Sequence, residues 1–190
     1  MTAAPPAVPT ASEWRIGETV PWVVAWTGED RFGLDASPLF QGYDEARQIE
    51  QPGQGAPLLK GMHLERQRRG LVQHLCQVCG RPTPPRDRFI FPTVAGRFVP
   101  LPSGELRYAS NMPPLHLRCA ERAQRLCPGV RKTGGQPVPL PKAGGTIAPQ
   151  FELPAGMEPL AGMAQGRRVI FSYYLVQSAG FTREVQRLLR

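Results

Sequence analysis

Apolar positions in this chain come in short clusters broken by Pro, Gly and charge, a pattern that predicts a small α+β fold. Residues 20–26 (Val-Pro-Trp-Val-Val-Ala-Trp) predict a strand ended by Thr27-Gly28-Glu29-Asp30, with Trp22 and Trp26 sharing a core face. Residues 35–57 predict loop with one helical turn near 44–48. Leu64, Leu71 and Leu75 recur at helical spacing, so 61–75 predicts a helix with Arg66, Arg68 and Arg69 pointing largely away from that apolar stripe. Residues 88–109 suit a β-hairpin turning at Pro102-Ser103-Gly104. Residues 115–127 suit a helix stopped by Pro128-Gly129. The C-terminal stretch predicts an apolar strand over 168–175. A helix follows over 182–190 with Thr182 as N-cap, the tail docking back on the N-terminal strand region.

Composition narrows this picture. The 190 residues include 22 Pro and 20 Gly, so the ordered core is expected to be smaller than the chain and to need a staple such as a metal. The expected organisation is a disordered N-terminus over 1–12, then a core over 13–127 whose zinc module spans about 61–127. A Pro/Gly-rich linker over 128–166, partly polyproline II, and a C-terminal strand and helix over 167–190 complete it. Met-Thr-Ala-Ala-Pro-Pro does not match a secretory leader, and no apolar run approaches a membrane span, so a cytoplasmic protein without a membrane partner is expected. The formal charge is +8, with Arg far exceeding Lys. Arg suits bidentate contacts with phosphate and guanine, which makes nucleic acid the first partner to consider; a GC-rich coding sequence produces the same bias.

The chemistry concentrates in two short pairs. Cys76 and Cys79 stand in His-Leu-Cys-Gln-Val-Cys-Gly-Arg-Pro, and His116 and Cys119 in Pro-Pro-Leu-His-Leu-Arg-Cys-Ala. Paired soft ligands a few tens of residues apart are how a small domain encloses one tetrahedral Zn²⁺. On a helix, His116 and Cys119 lie about 4.5 Å apart along the axis, whereas Cys127 lies about 12 Å beyond Cys119. The expected ligands are therefore Cys76, Cys79, His116 and Cys119, with Cys127 a buried core thiol. A Cys₄ set with Cys127 replacing His116 requires the helix to break early, and His74 falls outside the usual spacing. Four protein ligands close the coordination sphere, so the zinc is expected to be structural and no catalytic residue is assigned.

On the same helix, Arg118, Arg122 and Arg125 form a stripe opposite His116, Cys119, Ala120 and Ala123. Such a stripe suits a phosphate backbone, although a solvated helix face looks the same. Together with Arg66, Arg68 and Arg69 these are the candidate nucleic-acid contacts, DNA being the leading ligand.

The order knuckle, hairpin, helix, with the second ligand pair in the helix's first turn, resembles a treble-clef zinc finger over roughly 74–127. The stretch Asn111-Met-Pro-Pro-Leu-His-Leu-Arg-Cys-Ala resembles the C-terminal half of the HNH endonuclease motif. Asn111 matches the family Asn, His116 stands where the first Cys of the pair would be, and Cys119 matches the second. Ala120 replaces the metal-holding His, and Asp87 is followed by Arg88 rather than by the general-base His, so the resemblance implies an HNH-like module without its chemistry. Arg66-Gln-Arg-Arg before the first Cys pair, with Leu126-Cys127-Pro128 after the second, is similar to uncharacterised zinc-knuckle proteins of actinobacteria and their phages. The leading expectation is a non-catalytic, zinc-containing, nucleic-acid-binding accessory or regulatory protein. The alternatives are a protein–protein adapter using the C-terminal strand and Pro-rich arm, and a divergent HNH-like nuclease.

Overall fold

A computed structural model describes residues 11–92, 96–143, 145–153, 160–162 and 164–190. The expected disordered N-terminus falls outside these except for its last residues, where Ala11–Glu13 form a 3₁₀ turn. The fold is mixed α+β. Strands β1 (Val24–Trp26) and β4 (Pro57–Met62) pair antiparallel, with a register break that loops out Leu59 to Gly61. Strands β2 (Phe32–Ala36) and β3 (Asp44–Gln48) form a second sheet with β10 (Val169–Ile170), which joins parallel to β3. The largest described sheet has the order β6-β7-β11-β9, from Gly96–Pro100, Leu106–Ser110, Ser172–Val176 and Thr146–Gln150. Strands β5 (Phe89–Ile90) and β8 (Val138–Pro139) form a short pair.

Helix α1 (Leu64–Val72) is centred in the molecule, and its sequence explains why only in retrospect. Leu64 and Leu71 are buried as the periodicity predicts, but so are Arg66, Gln67 and Arg68. Gln67 docks on β11 as a neighbouring strand would: its Oε1 accepts from Tyr173 N at 3.1 Å while Nε2 donates to Tyr173 O at 2.8 Å. Arg68 stands where the chain leaves one sheet for another, between β10 and β11. There it donates to the Phe171 and Ala46 carbonyls at 2.9 and 2.7 Å, filling acceptors that no strand reaches, and pairs with Glu45 and Glu65. Arg66 and Glu29, both fully buried, form a bidentate pair at 2.9 and 2.6 Å. The Glu29 carboxylate also accepts from Trp26 N and Gln51 N, and Arg66 donates to Val24 O, so almost every polar atom of the pair is satisfied. Close packing fixes the helix's other face, because a Cβ at Gly70 would sit 2.6 Å from the Pro113 ring.

Several expectations change. The helical turn near 44–48 is strand β3: Ala46 and Glu45 are buried between β2 and β10, and sheet pairing overrides the helix preference of Asp-Glu-Ala-Arg-Gln. The linker expected over 128–166 contains helix α3 (Pro128–Thr133), β8 and β9. Strand β9 pairs along five residues with β11, and it tolerates Pro149 because it is an edge strand. The last helix, α4, spans Ala179–Leu188 with Ser178 as its N-cap rather than Thr182. Thr182 instead continues the sheet, its hydroxyl accepting from Tyr108 N at 3.0 Å just beyond the β7–β11 pairing. The C-terminal tail therefore docks on β3, β7 and β9, not on the N-terminal strand. Trp26 is buried edge-to-face against Trp14, while Trp22 lies beneath Arg69.

Candidate metal centre

The first ligand pair sits in a tight knuckle. Gly80 N donates to Cys76 O and Cys76 N to Arg81 O, both at 2.8 Å, and Gly80 takes φ +71°, a conformation natural to glycine. A Cβ there would also meet the Trp22 ring at 2.9 Å. Trp22 N and Val23 N donate to Val78 O and Gln77 O, fastening the knuckle to the start of β1. The second pair is carried by helix α2 (Leu117–Leu126), with His116 at the N-cap and Cys119 in the first turn. Gln77 N donates to Pro114 O, and Phe89 and Leu115 exchange two 2.8 Å bonds, which sets the helix start beside the knuckle. Asp87 completes the placement by accepting from Leu117 N at 2.7 Å, so it works as a cap supplied from another loop.

These constraints bring Cys76, Cys79, His116 and Cys119 together, with their ligand atoms all within 4.8 Å of one another. A tetrahedral site with N and S bonds of about 2.0–2.3 Å has ligand–ligand edges of about 3.5–3.8 Å. The Cys79 Sγ···His116 Nδ1 separation of 3.5 Å matches such an edge, and the Cys119 Sγ···His116 Nδ1 separation of 4.0 Å is slightly longer. His116 is oriented for the task. Its Nε2 lies 3.1 Å from the Pro82 carbonyl, and donating there leaves the Nδ1 lone pair facing the thiols. Burial pushes the Cys76 thiol up to about 12 and also raises Cys119. A cation at the centre reverses that preference by stabilising thiolates, so its binding releases protons. The four residues could bind a metal ion, and no disulfide competes for their thiols.

The other candidates fall outside this cluster. Cys127 is exposed, not a core thiol, because α2 ends at Leu126 and the chain turns outward into α3. His74 has φ +51° and contributes its carbonyl to Thr83 rather than its ring to the site. Asn111 has its backbone carbonyl occupied by Gln67, and Ala120 is fully buried.

The candidate nucleic-acid contacts divide in two. Arg66 and Arg68 are buried in the interior network, so their assignment as phosphate contacts is corrected; unpaired carbonyls and carboxylates draw them inward. Arg69 is half exposed but pairs with Glu50 at 2.8 Å and stacks over Trp22. Arg118 and Arg125 are exposed, and Arg122 is partly so with one donor on Gly17 O. The sequence reading missed Arg81, Arg86, Arg131 and Lys132, all exposed on the knuckle, its following loop and α3. The available signal was local: residues 76–133 hold ten Lys and Arg against three Asp and Glu. Among the described residues, Arg47, Arg66, Arg68, Arg69, Arg97, Arg107 and Arg167 each pair with a carboxylate. Arg81, Arg86, Arg118, Arg122, Arg125, Arg131 and Lys132 pair with none among those residues.

No described helix is long and apolar enough to cross a membrane. Compared with known proteins, the chain matches no family model, no curated sequence and no solved structure.

Proposed function

We propose that this chain is a nucleic-acid-binding accessory protein built on a structural Zn²⁺ in a treble-clef-like module. Three thiolates and one imidazole are a donor set suited to Zn²⁺, and four protein ligands leave it no open position for activating water. One observation carries the nucleic-acid reading: Arg81, Arg86, Arg118, Arg122, Arg125, Arg131 and Lys132 gather on the knuckle, its following loop, α2 and α3, and none of them pairs with a carboxylate among the described residues. Unpaired Lys and Arg on a surface can neutralise phosphates and release the cations condensed around nucleic acid. A nuclease reading finds less support, since Asp87 is engaged as a helix cap and Ala120 offers no ligand. The C-terminal strand expected to serve an adapter is spent on β7 and β9.

The test is anisotropy of labelled duplex DNA, single-stranded DNA and RNA with the zinc-loaded chain at low and near-physiological salt. Loss of three phosphate contacts in the Arg118→Ala, Arg122→Ala, Arg125→Ala variant flattens the log–log salt slope by about 3. Unchanged affinity and slope in that variant, with metal retained, would sink the assignment.

A further inference from the structure

An apolar cleft of about 490 Å³ opens beside the metal module, and the basic face does not account for it. Its floor is Val24 of β1, Val78 from between the two knuckle cysteines, and Ala123 of α2. Its rims are Leu59, looped out of β4 by the register break, and Leu126 at the end of α2. Both leucines are unusually open for their type, at 58% and 47% exposure. The cleft shares Val24, Leu59, Val78 and Ala123 with an adjoining cavity of about 230 Å³, so the apolar trough extends past a single side chain.

The lining selects the occupant. Nucleic acid is excluded from the floor, where a phosphate would lose its hydration against Val and Ala without gaining a donor. The charged residues of the lining are Lys60, Arg122 and Glu18. Neither Lys60 nor Arg122 pairs with a carboxylate among the described residues, and the surrounding segment is strongly basic. A second copy of a chain with net charge +8 brings the wrong sign to this rim. Residues 1–10 of the chain contain no Asp or Glu. We propose that the cleft binds a short peptide segment of a protein partner in which large apolar side chains are flanked by Asp or Glu. The apolar side chains fill the trough and the carboxylates meet Lys60 and Arg122. This inference goes beyond the nucleic-acid reading and shares only Arg122 with it. It also makes binding metal-dependent, because Val78 and Ala123 are placed by elements that carry Cys76, Cys79 and Cys119.

The test pans a random dodecapeptide display library on the full zinc-loaded chain, with counter-selection on Leu126→Glu. Enriched peptides are expected to combine at least two large apolar residues with Asp or Glu. Their affinity is expected to fall about tenfold or more in Leu126→Glu and in Lys60→Glu. Bound peptide is also expected to slow alkylation of Cys127, the exposed thiol on the cleft wall, a readout needing no variant. Metal content near one per chain shows that each variant is folded. Enrichment of peptides lacking acids, equal binding to parent and Leu126→Glu, or unprotected Cys127 in the complex would each overturn the proposal. So would a parent dimer that Leu126→Glu converts to monomer, which would make the occupant a second copy.

Discussion

His116 directs its Nε2 at the Pro82 carbonyl, 3.1 Å away, and so presents Nδ1 to the three thiols. The bond joins the ring on the α2 N-cap to the loop leaving the Cys76–Cys79 knuckle, so the residue that completes the donor set also ties its two halves together.

From this follows a clear order among cysteine substitutions. Cys76→Ser, Cys119→Ser and His116→Ala are each expected to abolish stoichiometric metal binding and to lower helix content, because the metal's binding energy is part of the module's folding energy. Cys127→Ser is expected to keep one metal per chain. Elemental analysis of purified protein and circular dichroism before and after chelation check both, and metal lost in Cys127→Ser would restore the Cys₄ alternative.

Among the arginines, position in the fold rather than residue type sets the effect on stability. Arg66→Ala strands the fully buried Glu29 carboxylate and is expected to destabilise the protein by about 3–5 kcal/mol. Arg125→Ala, on the exposed face of α2, is expected to change stability by less than about 0.5 kcal/mol. Urea denaturation of the zinc-loaded variants measures the difference.

Stability is also expected to fall on acidification through His63. Burial, with the neighbouring Arg66, lowers its pKa below the ordinary 6.5, against the opposite pull of the Ile49 carbonyl, Glu29 and Glu50. The ring is fully buried, Nε2 on Ile49 O at 2.9 Å and Nδ1 facing Arg66 N at 3.4 Å, so a second proton would set donor against donor. The unfolded chain therefore binds this proton below about pH 6.5 while the folded chain does not, and the stability held above that pH declines as pH falls toward the folded pKa. His63→Gln removes this slope. The difference in urea midpoint between parent and variant is expected to shrink from pH 7.5 to pH 5.5, and a constant difference would assign His63 no part. Both proteins carry the same metal ligands, so acid release of the metal cancels in the comparison.

Thr182→Val leaves Tyr108 N, in the interior of the main sheet, without its acceptor. The expected cost is about 1–3 kcal/mol, with local loss of hydrogen-exchange protection at Tyr108.

How much of this was legible depended on whether the signal was local. The metal cluster was legible because ligand spacing is encoded within a few residues of each pair, and the helix over 117–126 followed from the same stretch. Strand 168–175 was legible from its apolar run, apart from the switch of sheets at Phe171. The burial of Arg66, Gln67 and Arg68 was not legible, because their partners Glu29, Ala46, Phe171 and Tyr173 lie 22 to 106 residues away. Periodicity marks a polar stripe as outward, and only the carbonyls left open by distant strands turn this one inward. Strand β9 was hidden for a related reason: an edge position removes the penalty on Pro149 that a composition count assumes.

The reach of α1 across the chain has a consequence for biosynthesis. Gln67 and Arg68 leave the ribosome about a hundred residues ahead of Tyr173 and Phe171. The knuckle and its helix are complete by Leu126, so the four candidate ligands can assemble while synthesis continues. Arg66 finds Glu29 and Val24 already made, but Gln67 and one side of Arg68 must wait in water until β11 and the residue before it arrive. A ribosome stalled before Val169 therefore displays the Cys/His module attached to an unfinished body, and β10 and β11 act as the clasp that closes it.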